Sequence, residues 1–152
     1  MKPAHKYRLA TESDNENILK LINKTPQQGM VTLNFERYPN FFFGTEVTTE
    51  DSYVFVAENT VSGEIDGMIS FGFRSVYVNG EVKQIGYAND LRISEEQRGG
   101  RLLLKLHKKS VELLKEGEFA QAVILEENQK SLTTIAAGRA GMPIFYDYGR
   151  LI

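Results

Sequence analysis

The chain has 152 residues, 41% of them hydrophobic and 25% charged, which suits one globular domain that needs no disulfide or metal staple. A net charge of −2 with dispersed basic residues argues against nucleic-acid binding, and the lack of cysteine removes disulfides, thiol nucleophiles and thiolate metal sites. With no apolar signal core in residues 1–6 and no run long enough to span a membrane, the expectation is a cytoplasmic protein with no metal and no membrane partner.

Residues 7–10 read as a short first strand, and Thr11-Glu12-Ser13-Asp14 follows with short polar side chains suited to a helix start. Ile18, Leu19, Leu21 and Ile22 give that helix its apolar stripe, and Thr25-Pro26-Gln27-Gln28-Gly29 breaks it. Residues 30–44 crowd Phe35, Tyr38, Phe41, Phe42 and Phe43 around Pro39-Asn40, a short helix and a loop. Those rings either cap the core or wall an acceptor pocket. Strands are predicted at residues 53–58, 65–77 and 82–93, the last two joined by Asn79-Gly80, a strong hairpin signal.

The period then becomes helical over residues 101–116, with Leu102, Leu103, Leu106, Val111, Leu113 and Leu114 on one side and Gly117 at the end. His107 lies in a basic run there and is expected on the solvated face. Residues 120–125 read as a buried strand parallel to the one before the helix, 128–137 as a second helix and 144–152 as a last strand. The order predicts one mixed α/β (α+β) domain, mainly antiparallel with one parallel strand pair and flanking helices.

Gln97-Arg98-Gly99-Gly100-Arg101 sits between a strand end and a helix start. The first amides of a helix lack internal partners and lie at the positive end of its dipole, so they cradle anions. Glycines let the backbone approach closely, and Arg98 and Arg101 add forked cationic donors. The bland alternative is a tight solvated turn with two chance arginines.

Residues 90–106, Asp-Leu-Arg-Ile-Ser-Glu-Glu-Gln-Arg-Gly-Gly-Arg-Leu-Leu-Leu-Lys-Leu, resemble the acetyl-CoA motif of the GNAT-type N-acetyltransferases. That motif is a hydrophobic strand, a short acidic turn, Arg/Gln-x-x-Gly-x-Gly/Ala and a leucine-rich helix. The resemblance is specific over residues 87–128 and extends to the rest in element order. It implies acetyl-CoA as co-substrate. Leu91, Arg92 and Ile93 would offer a strand edge to the pantetheine arm, and Gln97, Arg98, Gly99, Gly100, Arg101 and Leu102 would hold the phosphates. Asn128 matches an asparagine that often contacts the cofactor.

Opening the motif at Gln97 puts Leu102 at a small-residue position, whereas aligning Arg98-Gly99 with the family's Arg-Gly pair puts Arg101 there. Ile135 stands where many members carry an acidic tyrosine, and Tyr146 and Tyr148 are the later substitutes. Asp90 is the nearest candidate base, with a structural cap or ion pair as the other reading; Glu126 and Glu127 read as surface charges. Family members usually add a final hairpin strand beyond residues 144–151. Its absence from these 152 residues points to a domain of a longer polypeptide, with a second fused domain, or to a homodimer completing the sheet. The implied activity is acetyl transfer to a small-molecule or protein amine by direct attack, no cysteine being present to carry an acyl group. The alternative is a non-catalytic acetyl-CoA-binding, regulatory or interaction domain.

Overall fold

A computed structural model describes residues 4–136 and 145–150. Its strands and helices run β1 (His5–Leu9), α1 (Asn15–Lys24), α2 (Phe41–Thr48), β2 (Asp51–Asn59), β3 (Ile65–Val78), β4 (Glu81–Ile93), α3 (Leu102–Val111), β5 (Ala120–Ala122) and α4 (Gln129–Ser131). The last continues as a π turn over Leu132–Ala136. The strands form one sheet in the order β1-β2-β3-β4-β5, antiparallel throughout except for the parallel β4–β5 pair.

Alternation along β2 divides the core. Val54 and Val56 face one side, where they meet Ile18, Leu19, Leu21 and Ile22 of α1, Phe41 of α2 and Met68. Phe55 and Ala57 face the other, against Leu102 and Leu106 of α3 and Ile69. A strand covered on both faces must be apolar at successive positions, as β2 is. Burying each large aliphatic side chain here contributes about 1.5–3 kcal/mol.

The β3–β4 hairpin turns at Asn79 (φ 53°) and Gly80 (φ 84°), the left-handed pair that matches strand twist. Further along, Met68 pairs with Arg92 and Ser70 with Asn89, so Asp90 and Leu91 together oppose Ile69. This extra residue is a bulge in β4. Asp90 there has φ 49°, a conformation that costs a non-glycine residue on the order of 1 kcal/mol.

Several elements end sooner than the sequence predicts. α3 stops at Val111, not 116, because its last turns tighten: Leu113 N donates to Ser110 O and Leu114 N to Val111 O. Leu114 then packs beside Gly86 of β4, and Gly117 belongs to a later turn. β5 is three residues long because the chain diverges from β4 after Ala122. Residues 145–150 form no strand, and the rest of that predicted strand lies outside the described residues.

Only part of the aromatic stretch caps the core. Phe41 is fully buried in the core, whereas Phe35, Tyr38 and Phe43 are 40%, 66% and 58% exposed.

Candidate functional site

A one-turn 3-10 helix at Glu95–Gln97 closes β4 and leads into the glycine turn. Arg98 N donates to Glu95 O and Gly100 N to Gln97 O, while Gly99 takes φ 79°. The first bond into α3 runs from Lys105 N to Arg101 O at 3.0 Å. The amides of Leu102, Leu103 and Leu104 ahead of it find no partner among the described residues, leaving three donors at the positive end of the helix. Arg101 is exposed at the cap and Arg98 is held loosely by Glu95 at 3.4 Å. Leu102 is buried in the α3-side core, so its bulk points inward rather than over the turn.

The next part of the site comes from the parting of β4 and β5. They pair at Gly86–Ala120, Tyr87–Gln121 and Ala88–Ala122, then separate. Beyond Ala88 the β4 edge lines a cavity of about 110 Å³, with Leu125 opposite it and His107, Ile135 and Phe145 completing the wall. Leu91 and Ile93 pack toward α3, while Arg92 shares a face with Met68 and the α1–α2 layer. Asn128 sits on the cavity wall, and its Oδ1 accepts from Ser131 N at 3.1 Å as the cap of α4.

At the bulge, both carboxylate oxygens of Asp90 accept from Arg37 Nη2, at 3.3 and 3.4 Å, and Asn89 Nδ2 donates to one of them at 3.3 Å. Arg92 is buried; its Nη1 donates to Leu91 O at 2.9 Å, and its guanidinium lies 5.9 Å from the Phe35 ring centroid. Burial lowers the Arg92 pKa, Asp90 opposes that effect and Arg37 adds to it.

No protein-family model matches the chain, and no curated protein matches it by sequence. Solved structures do. An aminoglycoside antibiotic 6'-N-acetyltransferase from Acinetobacter baumannii superposes with TM-score 0.70 at 18% identity, over 98% of this chain and 95% of that one. Glucosamine-6-phosphate N-acetyltransferase from Arabidopsis thaliana gives 0.63 at 19% identity, over 96% and 98%. The acetyltransferase AAC(6')-Iy, in complex with a CoA-containing bisubstrate analogue, gives 0.69 at 16% identity, over 97% and 95%. The fold is that of the GNAT acetyltransferases.

On this GNAT scaffold the predicted site residues divide into groups. Gln97, Arg98, Gly99, Gly100 and Arg101 form the turn, with Leu102 beneath it; Asp90, Leu91, Arg92 and Asn128 line the cavity, and Ile93 follows them on the same strand. Tyr146 and Tyr148 are 85% and 97% exposed and neither lines the cavity, whereas Ile135 does. Glu126 and Glu127 are on the surface as expected, with Glu127 accepting from Met30 N at 2.6 Å.

His107 corrects its expectation. It is 7% exposed, lines the cavity, lies with its ring centroid 5.8 Å from that of Phe145 at a tilt of 38° and leaves Nε2 without a partner among the described residues. Burial lowers its pKa. The signal was available in the helical spacing: Leu102, Leu106 and Ser110 recur at four residues, and His107 lies next to that stripe. Arg37 was also missed, because its pairing with Asp90 joins residues 53 apart in sequence.

Proposed function

We propose that the chain is an N-acetyltransferase that moves an acetyl group from acetyl-CoA to an amine by direct attack in a ternary complex. One observation carries this reading: β4 and β5 part over a cavity, with a glycine turn at the start of α3 whose following amides find no partner among the described residues. The residues fit the group: three amides without a partner among the described residues and two arginines suit a pyrophosphate, and the β4 edge at Leu91, Arg92 and Ile93 suits a chain of amides. Acetyl-CoA would supply the acetyl group as an activated thioester.

The chain's own groups then have distinct tasks. Gln97 to Arg101 and the amides of Leu102, Leu103 and Leu104 anchor the phosphates. The β4 edge aligns the arm along the splay. Asp90 takes the amine proton, directly or through water, as the nitrogen bonds to the carbonyl carbon and the carbon–sulfur bond breaks. Its pairing with Arg37 orients the carboxylate. A cytoplasmic setting belongs to the same proposal.

A second reading, a non-catalytic acetyl-CoA-binding domain, is favoured by Ile135 on the cavity wall and by the outward Tyr146 and Tyr148. Among the described residues no tyrosine lines the cavity to protonate the leaving thiolate. Calorimetric titration with acetyl-CoA, with a thiol-release assay over a panel of amines, separates the two. Binding with release on at least one amine supports the enzyme, binding without release supports the second reading, and no binding overturns both. Arg98→Glu should weaken acetyl-CoA binding about tenfold or more.

A further inference from the structure

More positive charge gathers around the cavity than acetyl transfer requires: Arg92 lines it, and Arg37, outside the lining, pairs with the lining residue Asp90. Arg92 is 7% exposed and lines the cavity, and its Nε has no partner among the described residues. A guanidinium so deeply placed needs a counter-charge, since desolvating an unpaired cation is costly. Asp90 is the carboxylate on that wall, and both its oxygens already face Arg37. Two guanidinium groups and one carboxylate leave one positive charge uncompensated. Glu127 does not supply the balance: it lies on the surface with Oε2 accepting from the Met30 amide.

A second polar atom on the same sheet face is also unsatisfied. Ser70 is 3% exposed, and its Oγ has no partner among the described residues. It pairs across the sheet with Asn89, next to Asp90, two residues from the Met68–Arg92 pair. Ser70 lies behind the cavity lining, so the buried Arg92 guanidinium is the group short of an acceptor that the cavity itself presents, and it calls for a ligand rich in oxygen lone pairs.

We infer that the acceptor carries an anionic group, a carboxylate or a phosphate, which Arg92 and Arg37 bind while its amine is presented at the β4 splay. This rests on the acetyltransferase reading above. The amine nitrogen lies toward Asp90 and the acid toward Arg92, so the acceptor is zwitterionic in solution. A polycationic amine meets like charge at the same wall and is selected against.

The test uses matched pairs: an α-amino acid against its methyl amide, and an aminosugar phosphate against the free aminosugar, with a polycationic aminoglycoside as a fifth acceptor. Binding to the whole protein is measured calorimetrically in the presence of CoA, and transfer is followed by thiol release. The acidic member of at least one pair should bind about tenfold or more tighter than its neutral partner, the range of one charge-assisted contact. Which pair responds tells carboxylate from phosphate. Arg92→Met should collapse that preference and Arg92→Lys should restore part of it. Because Arg92 is buried, Arg37→Gln is the second variant, and it should also reduce the preference. Equal binding within both pairs, tighter binding of the neutral or polycationic acceptors, or no binding of any acceptor overturns the inference. The acetyltransferase reading fails separately, when acetyl-CoA itself does not bind.

Discussion

Two residues, one on the cleft and one beside it, invite direct measurement. His107 titrates near 6.5 in an unfolded chain, and burial lowers that value in the folded protein. The folded state therefore binds its proton later as pH falls. Stability attributable to His107 is fully present above about pH 6.5 and is lost as pH drops toward the folded value. Urea unfolding at pH 7.5 and 5.5 should show this decline, and His107→Leu should reduce it; identical pH slopes for the two proteins would refute the assignment. Gly86 is a problem of space. A Cβ there would lie 2.6 Å from Phe71 Cζ, 3.0 Å from Ala120 Cβ and 3.1 Å from Leu114 Cδ2. Phe71 is buried and cannot swing clear. Gly86→Ala should destabilise by about 1–3 kcal/mol and loosen the β4–β5 pair on which the cleft depends, read from the urea midpoint.

At the scale of elements, the join between β1 and α1 is electrostatic. Arg8 donates to both carboxylate oxygens of Asp14, at 2.7 and 2.8 Å, and also to Glu58 at 2.6 Å. The Arg8 bond is the main cause that lowers the Asp14 pKa to about 2. A depressed carboxylate pKa gives stability that is present above about pH 4 and disappears as pH falls toward 2. Asp14→Asn should cost on the order of 2 kcal/mol at neutral pH and flatten acid unfolding in that interval, followed by circular dichroism. The same local chemistry made α1 legible, because caps and apolar stripes act within a few residues. The premature end of α3 was not legible: Leu114 leaves the helical line to pack beside Gly86, 28 positions earlier in the chain.

Across the whole molecule, protection should follow the sheet. β2, β3 and β4 each have neighbours on both sides, whereas β1 and the short β5 lie at the ends of the sheet. Amide exchange should be slowest in the shared register of β2, β3 and β4 and faster in β5 and in residues 28–40. Adding acetyl-CoA should slow exchange at residues 99–104 and along the 89–93 edge. Protection confined to other segments would place the cofactor elsewhere and count against the proposed site.

The order of strands and helices as far as α4, the hairpin at Asn79-Gly80 and the glycine turn ahead of α3 were determined by the sequence alone. Each depends on spacing, capping or backbone freedom among neighbouring residues. Tertiary structure decided where β4 and β5 part, that Leu102 turns inward, that His107 faces the cleft and that Arg37 and Arg92 meet around Asp90. Those outcomes depend on burial and charge between distant segments, and no local pattern encodes them. The strand-turn-helix was legible as a run of elements; the charge gathered around the cavity appears only when the chain is folded.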